Sequence, residues 1–118
     1  VLIAEDNNIN QILVKTLLNK KNFKVDTAEN GLIAFEKVKA NEYNIILMDL
    51  HMPVLDGYEA TKKIREELSS PKNNIPIIAL TAAAIKGEKE KCLSIGMNDY
   101  LSKPFKAEEL YSKILENV

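Results

Sequence analysis

The sequence predicts an α/β domain built on a parallel sheet with helices on both faces. Three observations carry this. Short apolar runs of strand length alternate with helically periodic stretches five times along 118 residues. The central run, Ile45-Ile46-Leu47-Met48, has no polar break, as expected of a strand buried on both sides. The runs also end in reactive groups: Glu5-Asp6 after the first, Asp49 after the third, Thr81 after the fourth and Lys103 after the fifth.

The elements follow in order. Residues 1–4 form the first strand. Asn7 or Asn8 caps a helix over 8–20, whose apolar stripe is Ile9, Ile12, Leu13 and Leu17. Residues 22–26 alternate and read as a half-exposed edge strand. Asn30-Gly31 opens a second helix that turns Ala34, Phe35 and Val38 inward. The central strand, 44–48, stops at Asp49, because Met52-Pro53 and Asp56-Gly57 force a loop. A third helix starts near Tyr58 and buries Ala60, Ile64 and Leu68. Residues 69–74 are a polar loop, and 75–80 are the fourth strand, with Pro76 tolerated near its start. Residues 86–94 are a charged helix with few apolar anchors (Cys92 and Leu93, after Ile85), stopped near Gly96. Such sparse anchoring makes it a candidate for motion, with a solvated charged face as the plain alternative. A fifth strand, 97–101, precedes a last helix carrying Ala107, Leu110, Tyr111 and Ile114.

Right-handed crossovers leave few ways to order these strands. The flavodoxin-like (βα)5 sandwich, a five-stranded parallel sheet in the order 2-1-3-4-5, makes the first and third strands neighbours. Glu5, Asp6 and Asp49 then converge at the carboxyl edge, where open α/β sheets bind ligands.

Composition narrows the function. With 16 basic and 17 acidic residues the net charge is -1, which gives no footprint for nucleic acid or an anionic membrane. No apolar run approaches the ~18 residues of a membrane helix. The single cysteine, Cys92, forms no internal disulfide and suits a reducing, cytoplasmic setting, where it reads as a small apolar filler. The chain starts at Val1 without a lead-in, as a domain excised from a longer protein would.

Packed carboxylates repel, so a proton or a cation must sit among them. Mg²⁺ suits the set: it prefers oxygen, takes one or two carboxylates and adds a substrate phosphate. Thr81 brings a hydroxyl to the same edge and Lys103 an ammonium. Together they make a site for a dianionic phosphoryl group.

These residues resemble the receiver domain of two-component response regulators. The matching pieces are Glu5-Asp6, the run from Asp49 through His51, Met52, Pro53 and Asp56 to Gly57, Thr81-Ala82, and Lys103-Pro104-Phe105. They stand in the family's order and spacing over essentially all of residues 1–118, read as one receiver domain. The resemblance implies that Asp49 is the phosphoacceptor, attacking a phosphohistidine on a histidine kinase or a histidine phosphotransfer domain. Glu5, Asp6 and Asp49, with the His51 backbone carbonyl, would hold Mg²⁺; the longer arm of Glu5 is compatible with a contact through water. Thr81 and Lys103 would each bond a phosphoryl oxygen. Thr81 and Tyr100 would form the switch, read out on the fourth helix, fifth strand and fifth helix. His51 and Ala83 would tune phosphoryl lifetime, and Lys103-Pro104 would be cis. The resemblance also allows a phosphorylation-dependent homodimer.

The Glu-Asp-Asn-Asn-Ile-Asn-Gln opening is similar to receivers of hybrid histidine kinases, with a stand-alone regulator as the alternative. Such a domain catalyses its own phosphorylation and dephosphorylation without being a turnover enzyme, although its parent chain would be a kinase. Two other classes fit less well. A Mg²⁺-dependent aspartyl phosphatase would place two acids two apart after the first strand, whereas Glu5 and Asp6 are adjacent. An FMN carrier would need a hydroxyl- and glycine-rich loop there.

Overall fold

A computed structural model describes residues 1–82 and 85–118. The alternation of the sequence becomes β1 (Leu2–Ala4), α1 (Asn8–Asn19), β2 (Asp26–Ala28), α2 (Gly31–Ala40), β3 (Ile46–Asp49), α3 (Gly57–Glu67), β4 (Ile77–Thr81), α4 (Glu88–Ser94), β5 (Asp99–Ser102) and α5 (Ala107–Asn117). All strand pairs are parallel, in the order β2-β1-β3-β4-β5. This is the flavodoxin-like arrangement expected from the sequence.

The two-residue period of a strand divides the core into two. Leu2, Ala4, Ile46, Met48, Ile77 and Ala79 pack on the side that α2, α3 and α4 cover. Ile3, Ile45, Leu47, Ile78, Leu80 and Leu101 pack on the side of α1 and α5. Asn7, Asn30 and Asp56 cap α1, α2 and α3, each accepting a backbone N–H three residues on.

Several local expectations shift. The stripe expected to seat α1 faces solvent: Ile9, Ile12 and Leu13 are 77%, 65% and 57% exposed. Val14 and Leu18, one turn apart, take the seam instead, and at 100° per residue they lie on the opposite side of the helix. The edge strand begins at Asp26, paired with Leu2, rather than at 22. Asn22 adopts a positive φ of 65°, so the chain is still turning there, and Phe23 and Val25 pack on the core from the turn. The polar loop before β4 contains a 3-10 turn, Lys72–Asn74. Helix α4 is shorter than expected, and Glu88 and Cys92 are its buried residues. Lys103-Pro104 is cis as expected, and Ser70-Pro71 is a second cis bond.

Candidate functional site

Strand register assembles the site. Ala4 lies beside Met48, so Glu5 and Asp49 follow at the same edge. Asp49 lies beside Leu80, one residue before Thr81, and Thr81 lies beside Ser102, one residue before Lys103. The Lys103 backbone N–H donates to the Thr81 carbonyl at 2.7 Å. Thr81 is fully buried.

Glu5, Asp6 and Asp49 each bring a carboxylate oxygen into a cluster within 4.8 Å. Glu5 and Asp49 are buried and Asp6 is exposed. Lys103 Nζ lies 2.9 Å from Glu5 Oε1 and 3.5 Å from Asp49 Oδ2. The His51 backbone N–H donates to Asp49 Oδ1 at 3.2 Å. Gln11 donates from Nε2 to the Glu5 carbonyl, which fixes the turn after β1 against α1. Gly57 brings α3 close under the end of β3: a Cβ there would stand 2.3 Å from the Asp49 carbonyl oxygen.

The electrostatics are unbalanced, with three acids facing one lysine. Burial pushes the Asp49 carboxyl up, and the hydrogen bond and charge of Glu5 push it further, to about 7. The charge of Lys103 and the His51 N–H pull the other way and are outweighed. For Glu5 burial also pushes upward, but hydrogen bonds from Asp49, Lys103 and Asn10 bring it below the ordinary range. Of the two, Asp49 is therefore the acid that holds a proton more readily, and Glu5 the one that stays ionised. Glu5 Oε2 is buried without a hydrogen-bond partner. An orphaned anionic oxygen beside two further carboxylates, all hard oxygen donors, fits a divalent cation of the Mg²⁺ type.

The remaining expected residues surround this centre. His51 presents its side chain to solvent, with Nε2 4.0 Å from Glu88 Oε2. Tyr100 is half-buried against the core, and its hydroxyl donates to Glu88 Oε1 at 3.2 Å. Ala83 lies outside the described residues. The sequence reading missed Glu88: a glutamate in a run of Lys86, Glu88, Lys89, Glu90 and Lys91 looks solvated, yet it is 7% exposed. It also missed a groove of about 530 Å³ beside the site, lined by Leu13, Leu17, Ala82, Lys103, Pro104 and Phe105.

The chain matches the family described as response regulator receiver domain over residues 1–115. It is 48% identical over 119 residues to hybrid signal transduction histidine kinase I of Dictyostelium discoideum, covering 97% of this chain and 7% of that protein. It is 39% identical over 117 residues to sensor protein GacS of Pseudomonas syringae pv. syringae, covering 98% of this chain and 13% of that protein. The chain thus spans a small part of these relatives. Among solved structures, it resembles the receiver domain of sensor histidine kinase PA1611 from Pseudomonas aeruginosa PAO1. That structure has a magnesium ion coordinated in its active site cleft; the TM-score is 0.89 and the identity 42%, over 98% of this chain and 93% of that one. A chain in the co-crystal structure of the Saccharomyces cerevisiae histidine phosphotransfer protein Ypd1 with the receiver domain of Ssk1 matches with TM-score 0.88 and 38% identity. That match covers 98% of this chain and 86% of that one.

Proposed function

The chain belongs to the response regulator receiver domain family, and from that premise we propose that residues 1–118 form one receiver domain that takes a phosphoryl group from phosphohistidine onto Asp49. The observation that carries the reading is the site's imbalance. Three carboxylates and one lysine, with a buried oxygen lacking a partner, favour a cation and then a dianion beside it.

Glu5, Asp6 and Asp49, with the His51 carbonyl, are the groups that would hold Mg²⁺, the ion found in the cleft of the similar PA1611 receiver. When bound, the ion supplies positive charge that favours ionised Asp49 and offsets phosphoryl charge. An Asp49 oxygen attacks phosphorus; an O–P bond forms as the N–P bond breaks, and the imidazole leaves with the electron pair and takes up a proton. Lys103 Nζ already faces both buried acids and is placed to pair with a phosphoryl oxygen. The Thr81 hydroxyl, at the end of the neighbouring strand, is assigned to another. Little covalent help is needed, because positioning and charge stabilisation dominate phosphoryl transfer. Thr81 and Tyr100 are assigned as the switch, and His51 and Ala83 as groups that tune phosphoryl lifetime.

The donor would be a histidine kinase or a histidine phosphotransfer domain. The outward apolar face of α1, with its groove running to Phe105, supports docking of an apolar helical surface beside Asp49. The relatives support a hybrid histidine kinase as the parent chain; a cytoplasmic place for this domain is part of the proposal and rests on its single, unpaired cysteine. No described helix is long and apolar enough to cross a membrane. The phosphatase and flavin-carrier readings gain no support, since adjacent acids follow β1.

The test is intact mass after incubation with acetyl phosphate and Mg²⁺. One phosphoryl adduct is expected, absent without Mg²⁺ and absent in Asp49→Asn. A label that survives Asp49→Asn would place the chemistry on another carboxylate.

A further inference from the structure

Helix α4 is held differently from its neighbours. Helix α5 seats on Leu110 and Ile114, and α3 on Ala60, Thr61 and Ile64 together with its first glycine. In α4 the buried residues are Cys92 and, one turn before it, the carboxylate residue Glu88. The side chain of Glu88 is 6% exposed. Its two oxygens are divided between two tyrosines from different elements. Tyr58 of α3 donates to Oε2 at 3.1 Å, and Tyr100 of β5 donates to Oε1 at 3.2 Å. His51, from the loop that follows Asp49, approaches Oε2 at 4.0 Å. Lys91 of α4 lies over the Tyr58 ring at 4.2 Å, closing the cluster from the helix side.

An apolar residue would seat a helix at less cost. Desolvating a carboxylate is expensive, and among the described residues no lysine or arginine forms an ion pair with Glu88 to offset it. What the carboxylate adds is direction: it fixes two hydroxyls at once, and losing either leaves a buried oxygen short of a donor. Both phenols are pushed above the ordinary range, first by burial and also by Glu88.

We propose that Glu88 is a positioning residue that latches α4 to Tyr100 and Tyr58, so that release of the Tyr100 hydroxyl and unseating of α4 are one event. The tie to phosphorylation rests on the function proposed above. The latch joins the helix to β5 three residues before Lys103, and it stands 4.0 Å from His51, in the loop two residues after Asp49. A change at Asp49 that moves either element is felt at Glu88.

A double-mutant cycle by hydrogen exchange tests this, using wild type, Glu88→Gln, Tyr100→Phe and the double variant, with far-UV circular dichroism confirming the fold. Glutamine keeps the shape but offers one acceptor oxygen instead of two. Exchange in residues 89–95 is expected to rise about tenfold in each single variant. The double variant is expected to rise no further. Tyr100→Phe is the decisive arm, because it removes one hydroxyl from β5 and leaves α4 untouched in sequence. Unchanged exchange in α4 for that variant, or effects that add, would overturn the latch. Labelling all four proteins with acetyl phosphate and Mg²⁺ then tests the tie to the site. A several-fold change shared by both single variants is expected, and equal rates in all four would overturn the tie. A wild type that takes no label would overturn the proposed function instead, with the exchange cycle still deciding the latch.

Discussion

The two edges of the sheet treat charge in opposite ways. At the amino edge Arg65 of α3 is half-buried, and its guanidinium is well satisfied. It donates to the Gly96 carbonyl at 2.9 Å, the Asn73 carbonyl at 2.9 Å and Asn98 Oδ1 at 3.0 Å. Asn98 Oδ1 in turn accepts the Ile77 N–H at 2.9 Å, at the start of β4. The one buried side-chain atom left unpartnered there, among the described residues, is the neutral Asn73 Oδ1. At the carboxyl edge the unpartnered atom belongs to a carboxylate, and of three clustered acids two, Glu5 and Asp49, share one lysine. One edge is finished by the fold; the other keeps an unbalanced charge, which the function proposed above would complete with a cation and a phosphoryl group. Removing charge should therefore weaken the amino edge and relieve the carboxyl edge.

Asp49→Asn is the largest expected effect and has two signs. Labelling by acetyl phosphate is lost completely. Stability without metal rises, because Asp49 titrates at about 7 in the folded protein against 3.8 as a free side chain. Between those values the native state binds a proton that the unfolded chain does not. Stability is therefore fully present below the unfolded value and falls as pH rises through 7. In EDTA at pH 8 the variant should exceed wild type by on the order of 3 kcal/mol, with the difference gone below about pH 4. Glu5 is held below its ordinary 4.5, so its contribution is present above that value and lost in acid, in a separate window. Thermal melts across pH check both. In wild type, saturating Mg²⁺ should replace the missing stability at pH 8 and do little at pH 5.

Gly57→Ala tests how the carboxyl end of β3 is supported. The new methyl would meet the Asp49 carbonyl oxygen at 2.3 Å and the Leu50 Cα at 3.0 Å, both backbone atoms with little room to yield. A loss of about 3 kcal/mol is expected, with slower labelling because Asp49 shifts with the strand. Chemical denaturation and labelling rate read the two parts.

Arg65→Ala sharpens the comparison from the other side. Three hydrogen bonds from a charged donor disappear, and about 2 kcal/mol of stability should go with them. Acetyl phosphate labelling should stay at the wild-type rate, since Arg65 sits at the far end of the strands. A slowed rate would mean that the amino edge positions the site.

This division explains what could be read from the sequence. The end of a parallel strand is marked by composition, so Glu5, Asp49, Thr81 and Lys103 mark their shared edge in the sequence itself. Burial within helices is marked less well. Periodicity locates an apolar stripe but does not say which way it faces; Ile9, Ile12 and Leu13 form such a stripe and lie outward. Glu88 was hidden for the converse reason, because a charge in a charged run looks solvated until the tyrosines of α3 and β5 are placed around it. The late start of β2 depended on where the chain leaves its turn at Asn22, which alternation in 22–26 masked.

The outward stripe of α1 yields the smallest expected effect on the domain itself. Leu13 is 57% exposed and borders the groove beside Lys103 and Phe105. Replacing it with aspartate removes little buried area, so stability should change by less than about 0.5 kcal/mol. Labelling by acetyl phosphate should be unchanged, because a small donor needs no docking surface. Transfer from a phosphorylated histidine phosphotransfer protein should fall about tenfold if the partner docks on this face as proposed, since an exposed apolar side chain is replaced by a charge that must be desolvated. Equal transfer by Leu13→Asp and wild type would show that the partner approaches Asp49 from another side, leaving the apolar face of α1 to some other contact.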